Sequence, residues 1–255
     1  MALSRNKIRY LASLKIKKYR SFHGQFIAEG DKIVCDMLEN GNVRIRQIIA
    51  TEGWLKAHPF MRTKVDEIAE AAIEDIARIS SLESPVPVMA VLDIPEYTID
   101  KQVIADKFSL VLDNIQDPGN LGTIIRTADW FGIRHIICSE DCVDCFNPKV
   151  VQASMGALLN VRVCNTYLPG FLAQLPPEPL FGIYGTFMEG KPVFDVAPVT
   201  KGVAIFGNES KGISEDLLPY VRNRITIPPV YTQIAHVESL NVASAVAIVC
   251  AVLTR

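Results

Sequence analysis

Apolar and polar positions along the chain fall into two blocks, each alternating strand-like and helix-like pattern. In the first block Gln25–Glu29 (QFIAE) reads as a strand and Asp31–Glu39 as a helix ended by Asn40-Gly41. Val43–Ala50 alternates charged and apolar residues like a strand. A helical pattern around Glu67–Ile79 and a strand at Val86–Leu92 close the block. The next stretch, PEYTIDKQVIADK (Pro95–Lys107), is polar, carries a proline and has no clear period, which marks a linker.

The pattern restarts at Phe108. Strands are expected at 108–112, 134–138, 180–186, 202–206 and 224–227, interleaved with helices at about 121–131, 148–159, 214–221 and 239–253. Near-continuous apolar strands alternating with helices point to an α/β fold with a parallel sheet covered on both faces. The expected organisation is a small α/β domain over 1–95, a linker over 96–107 and a parallel-sheet domain over 108–255. Ligands of such sheets bind beyond the carboxyl ends of the strands. The loops after Leu112, Tyr184, Phe206 and Ile227 are therefore the places to look for chemistry.

Composition narrows the class. With 255 residues, 49% hydrophobic and 21% charged, wholesale disorder, collagen and low-complexity arrays are excluded. Twenty-six basic against 28 acidic residues give a net charge of −2, which excludes a uniformly basic coat for nucleic acid. A local patch remains open. Residues 1–24 contain Arg5, Lys7, Arg9, Lys15, Lys17, Lys18 and Arg20 and no acidic residue. Such a run is either a solvated helix face or a phosphate-contacting patch. The opening MALSRNKIRY is basic without a long apolar core, so no secretory signal is expected. The most apolar run, Val242–Leu253, is shorter than the ~20 residues that cross a bilayer and reads as a buried helix. Six cysteines in a chain of this length suggest free thiols and a cytoplasmic location.

Three loops look chemical. In DNIQDPGNLGTIIR (Asp113–Arg126), Asp117-Pro118-Gly119 makes a tight turn and Asn120 is placed to cap a helix beginning at Leu121. Arg126 lies on the second turn of that helix, where it either meets a phosphate or carboxylate or snorkels across the surface. In IFGNESKGIS (Ile205–Ser214), Gly207 and Gly212 have P-loop spacing, but Ile213 stands where the phosphate-binding lysine must be. What remains there is close backbone approach at the glycines and a carboxylate at Glu209. In IPPVYTQIAHVESLN (Ile227–Asn241), Ser239 and Asn241 flank the start of the apolar helix, as caps or as ligand contacts. His236 reads as a loop residue. Cys138, Cys142 and Cys145 have the CxxxCxxC spacing of a radical-enzyme [4Fe–4S] site. Cys138, however, closes the strand RHIIC and no repeated β/α barrel is visible, so packing as small apolar groups is expected.

Taken together, these loops resemble the signature motifs of the SpoU (TrmH-like) family of RNA ribose methyltransferases, within the SPOUT class. The first is matched by Asn114, Asp117-Pro118, Asn120, Gly122 and Arg126-Thr127-Ala128, and the second by Phe206-Gly207-Asn208-Glu209 and Gly212. The third is matched by Ile227-Pro228 and Glu238-Ser239-Leu240-Asn241-Val242, with NPKVVQASMGAL (Asn147–Leu158) lying between the first two. Arg20 with FIAEG (Phe26–Gly30) is similar to the start of the family's substrate-binding domain. The resemblance implies a SPOUT domain with a C-terminal trefoil knot, a homodimer built through that domain, and S-adenosylmethionine as methyl donor. It implies donor contacts from Thr186, Gly207, Ile227 and Leu240, and a catalytic group of Arg126, Asn120, Glu209, Ser239 and Asn241, with no metal. The substrate implied is a ribose 2′-hydroxyl of RNA, with ribosomal RNA favoured over tRNA, held in part by Lys17, Lys18 and Arg20. One departure stands out: PVYTQIAHVE (229–238) is longer than the corresponding family segment and lacks its glycine. The alternative reading is a non-catalytic RNA-binding or ribosome-assembly factor that keeps the fold.

Overall fold

The structure, a computed structural model, describes residues 3–40, 43–59, 65–230 and 239–255. The chain divides into two compact units, Met1–Glu96 with Asp144–Leu159, and Tyr97–Val143 with Asn160–Arg255.

The first unit opens with α1 (Arg5–Ser13), whose N-cap Ser4 hydroxyl accepts the Lys7 N–H at 3.2 Å. Next come α2 (Lys17–His23), β1 (Gln25–Glu29), α3 (Asp31–Asn40), β2 (Ile45–Ala50), α4 (Glu52–Ala57), β3 (Glu67–Glu70), α5 (Ile73–Ile79) and β4 (Val88–Asp93). The strands form one sheet in the order β1-β4-β2-β3, with β4 antiparallel to both neighbours and β3 parallel to β2. Leu11 and Leu14 meet Ile76 and Ile79 over Ile27, Ile49, Met89 and Val91 on one face. Phe26, on the opposite pleat from Ile27, meets Phe146 with ring centroids 4.9 Å apart. The helix expected across Glu67–Ile79 is thus two elements. Glu67–Glu70 pairs with Gln47–Ala50 as a strand, so ladder pairing overrides the local helical preference, and only Ile73–Ile79 is helical.

In the second unit α6 (Lys101–Ala105) falls inside the expected linker. Asp100 caps it, accepting the Gln102 and Val103 N–H groups, and Ile104 is buried. The chain continues through β5 (Phe108–Leu112), α7 (Pro118–Trp130), β6 (His135–Cys138), α8 (Pro148–Ser154), β7 (Arg162–Asn165) and α9 (Leu168–Leu172). It ends with β8 (Gly182–Pro192), β9 (Gly202–Phe206), β10 (Asn223–Thr226) and α10 (Val242–Leu253). Of these, α8 belongs to the first unit, although it lies in the stretch expected within the parallel-sheet domain. The helix expected over 148–159 stops where Met155 turns left-handed, and 214–221 is a 3-10 helix over Glu215–Tyr220 with Pro219 inside it.

The six-stranded sheet is parallel throughout, in the order β10-β8-β9-β5-β6-β7. From β5 the chain moves outward through β6 and β7, then returns to the other side of β5. The order therefore reverses between β5 and β9, and the crevice beyond a reversal is where open α/β sheets bind ligands. All of β5 and β9 is buried. Val111, Ile137, Val203 and Ile205 pack with Leu168, Phe171, Phe181 and Leu217 on one side of the sheet.

Candidate active site

At the reversal, three loops are tied together by side-chain hydrogen bonds. Asp113, just past β5, is buried; its N–H donates to the Phe206 carbonyl at 2.9 Å. Its Oδ2 accepts from the Ser214 N–H at 2.7 Å and the Ser214 hydroxyl at 2.6 Å. Asn114 is left-handed (φ 56°), and its carbonyl accepts from Asn208 Nδ2 at 3.0 Å. The first and second loops are thereby stapled before any catalytic side chain is considered.

The cap of α7 is Asp117, not Asn120. Asp117 Oδ1 accepts the Asn120 N–H at 2.8 Å, and Pro118 occupies the first helical position, where its missing donor costs nothing. This leaves the Asn120 side chain available. Its Nδ2 donates to Glu209 Oε1 at 2.5 Å, and its Oδ1 accepts from Asn241 Nδ2 at 2.9 Å. Asn241 in turn caps α10, its Oδ1 accepting the Ala243 and Ser244 N–H groups at 2.9 and 3.3 Å. One residue from each loop thus joins a continuous chain, Glu209–Asn120–Asn241. Ser239 and Arg126 are exposed and bonded to none of these residues, and Arg126 has no hydrogen bond or ion pair with any described residue. A charged fork with no partner among the described residues is suited to an external anion. Glu238 and His236, with most of the glycine-free segment, lie outside the described residues.

Of the residues expected to hold the donor, Gly207 and Ile227 stand at strand ends, Thr186 lies within β8 just past its pairing with β9, and Leu240 precedes α10. Thr186 on β8 donates its hydroxyl to the Ile205 carbonyl at 3.0 Å, Gly207 follows β9 directly, and Ile227 follows β10. Leu240 immediately precedes the cap Asn241. A Cβ at Gly207 would lie 2.1 Å from the Gly212 carbonyl carbon, so only glycine fits there. Asn208 and Gly212 exchange backbone hydrogen bonds at 3.0 and 2.8 Å, closing a tight loop. Asn114 Oδ1 is buried without a partner among the described residues, an acceptor left over beside the loops. Backbone groups at strand ends with one spare acceptor suit a ligand bearing amine and hydroxyl donors.

Other expected residues behave differently. Lys17 and Lys18 are exposed on α2. Arg20, expected beside them on RNA, is 2% exposed, and its Nε donates to Asp144 Oδ2 at 3.0 Å. Its Nη2 also donates to Asp144 Oδ2, and its Nη1 donates to the Leu14 and Lys15 carbonyls at 3.0 and 2.8 Å, so its charge is consumed internally. Cys138, Cys142 and Cys145 are buried free thiols. Cys142 accepts the Ile115 N–H at 3.2 Å, and hydrogen bonding led by Cys138 pulls its pKa down to about 7. One group of ligand-type side chains converges among the described residues: Asp31, Cys35 and His58, within 4.8 Å of one another. It is organised around Trp54, whose indole donates to Asp31 at 2.5 Å and whose carbonyl bonds His58 Nδ1 at 2.9 Å. The residues that sequence reasoning missed are Asp113 and Ser214; Asn208 was matched within the second motif without a role of its own. A carboxylate directly after a wholly apolar strand was the available signal for the first.

A parallel sheet whose strand order reverses, with the Glu209–Asn120–Asn241 chain at the reversal, is an α/β domain of the kind that binds ligands beyond its strand ends. The chain belongs to the SpoU rRNA methylase family, whose model matches residues 107–251, and an MRM3-like substrate-binding domain matches residues 5–90. It is 30% identical over 250 residues to the 23S rRNA (guanosine(2553)-2′-O)-methyltransferase RlmP of Bacillus subtilis, spanning 95% of this chain and 93% of that one. A solved TrmH-family structure from Porphyromonas gingivalis superposes with a TM-score of 0.84 at 38% identity, covering 98% of both chains. The SpoU methyltransferase AviRb of Streptomyces viridochromogenes, solved in complex with S-adenosylmethionine, superposes with a TM-score of 0.84 over 98% of this chain and 97% of that one. At 23% identity that likeness concerns the fold.

Proposed function

We propose that this protein transfers a methyl group from S-adenosylmethionine to a ribose 2′-hydroxyl of ribosomal RNA. The observation that carries the reading is the Glu209–Asn120–Asn241 chain, in a SpoU family member, with Arg126 exposed on the same helix as Asn120 and without a partner among the described residues. S-adenosylmethionine, when bound, supplies an electrophilic methyl carbon on a sulfonium centre. Thr186, Gly207, Ile227 and Leu240 hold it, chiefly through backbone groups, with Asn114 Oδ1 as an added acceptor. A guanidinium offers donors and no acceptor, so Arg126 positions a phosphate and stabilises the oxyanion that forms at the 2′-oxygen. Asn120 and Asn241 fix the Glu209 carboxylate, and Ser239 offers a hydroxyl beside them. Positioning of the nucleophile behind the methyl carbon supplies much of the rate.

The name of the Bacillus subtilis relative supports ribosomal RNA over tRNA. Lys17 and Lys18 contact RNA phosphates, a sequence-independent role. The working form is a homodimer in the cytoplasm, joined through the parallel-sheet domain at α7: Trp130 is 85% exposed and sits one turn from Arg126 on the same face of that helix. A C-terminal trefoil knot belongs to the same reading. No helix among the described residues is long and apolar enough to cross a membrane.

The test is incorporation of labelled methyl from S-adenosylmethionine into purified ribosomal RNA and tRNA, with alkali-resistant dinucleotides marking 2′-O-methylation. Label in ribosomal RNA is expected, falling on the order of 10²–10³-fold in Arg126→Ala, the range for losing one preorganised oxyanion donor. Donor binding with no label in either RNA would favour the non-catalytic RNA-binding or assembly factor instead.

A further inference from the structure

The second helix of the first unit is built inside out. Its single buried residue is Arg20, while its apolar side chains face solvent. Ile16, at its N-cap, is 55% exposed, Tyr19 40% and Phe22 80%. They recur every three residues along one edge, and Lys17 and Lys18 lie between them. Arg20 anchors the helix through Asp144 and the Leu14 and Lys15 carbonyls, so the outward strip is held on a fixed backbone. The rings continue into the unit. Phe22 meets His23 nearly at right angles with centroids 4.9 Å apart, His23 meets Tyr10 at 5.0 Å, and Lys7 Nζ lies 5.6 Å over Tyr10.

We propose that Tyr19 and Phe22 form a stacking platform for unpaired bases of the RNA substrate, with Lys17 and Lys18 on the adjoining phosphates. The inference rests on the RNA-methylating function proposed above and adds the form of RNA recognised. An apolar strip left exposed on an anchored helix marks a binding surface. Lys17 and Lys18, exposed between these side chains in a stretch of 24 residues with no acidic one, make its partner a polyanion, and among polyanions only a nucleic acid also offers flat apolar faces. Base faces are hidden inside an A-form duplex and open in loops and bulges, so the segment bound here is unpaired. The near-perpendicular contact with His23 restricts the Phe22 ring while most of the side chain stays exposed, which reduces the entropy lost on stacking.

The test uses the full chain and two labelled RNAs of equal length, a hairpin with an unpaired loop and a perfect duplex, titrated by fluorescence anisotropy at several salt concentrations. Wild type is expected to prefer the hairpin. Phe22→Ala should bind the hairpin on the order of tenfold more weakly, lose the preference over duplex, and keep the salt slope. Phe22→Trp should retain the preference. The Lys17→Ala, Lys18→Ala double variant should instead flatten the salt slope by up to about one per lysine. Thermal melting should leave Phe22→Ala unchanged, because the side chain is exposed. If wild type prefers the hairpin and Phe22→Ala does so equally, the platform is refuted while RNA binding stands. If wild type binds neither RNA, the RNA-contact reading of this unit falls with it. A Phe22→Ala effect on self-association rather than on RNA would assign the strip to a second copy and also overturn the proposal.

Discussion

Asn120 has one amide group engaged on both sides, donating to Glu209 and accepting from Asn241. Replacing it by aspartate turns the 2.5 Å donor contact into two facing carboxylates. Like charges at that distance raise the pKa of one member of the pair. Below that raised value a shared proton restores the contact; above it both groups ionise and separate. Asn120→Asp should therefore lose methyltransferase activity relative to wild type progressively as pH rises, read from the ratio of the two pH–rate profiles. A constant ratio would mean that the contact does not matter. Arg126 makes the complementary prediction: it is exposed and bonded to no described residue, so Arg126→Ala should leave melting unchanged while turnover falls. These residues were legible in the sequence as three separate loops, and resemblance to a family joined them. Their pairing was not, because the expected cap role for Asn120 occupied the group that the structure leaves free. Asp113 and Ser214, a hundred residues apart, carry no local pattern that announces their bond.

At the scale of elements, the anchoring of α2 is the sharpest case. Arg20 read as one more member of a basic run, since sequence gives a charge but not its partner 124 residues away. With the arginine 2% exposed, Arg20→Ala leaves the Asp144 carboxylate without its cation and strands two carbonyls. The expected cost is about 3–5 kcal/mol of stability, measured by denaturant unfolding. Arg20→Lys should recover little, since a single ammonium cannot reproduce the guanidinium fork. A loss below about 1 kcal/mol in Arg20→Ala would contradict the anchor. The longer strands of the parallel sheet were readable because burial on both faces forces apolar runs such as FSLVL. Short elements were not: RVCN in β7 is too brief to show a period, and EIAE in β3 becomes a strand only by pairing with β2.

At the scale of the whole molecule, chain order and spatial unit part company. Residues 144–159 sit in sequence between strands of the parallel sheet, yet they pack with the N-terminal unit. An apolar helix face does not say which sheet will cover it, so no reading of the segment alone could have placed it. Assembly is the other property written at this scale. A tryptophan 85% exposed on the same face as Arg126 predicts that a second copy covers it. Wild type should sediment at twice 28.2 kDa, and Trp130→Asp should give a folded monomer with little methyltransferase activity. A Trp130→Asp dimer of full activity would remove α7 from the interface.

The most direct measurement of the central claim is nucleoside mass spectrometry of ribosomal RNA and tRNA from cells with and without this protein. The account predicts loss of one 2′-O-methylated nucleoside from ribosomal RNA, restored by wild type and not by Arg126→Ala. Survival of every 2′-O-methyl mark, or full restoration by Arg126→Ala, would contradict it.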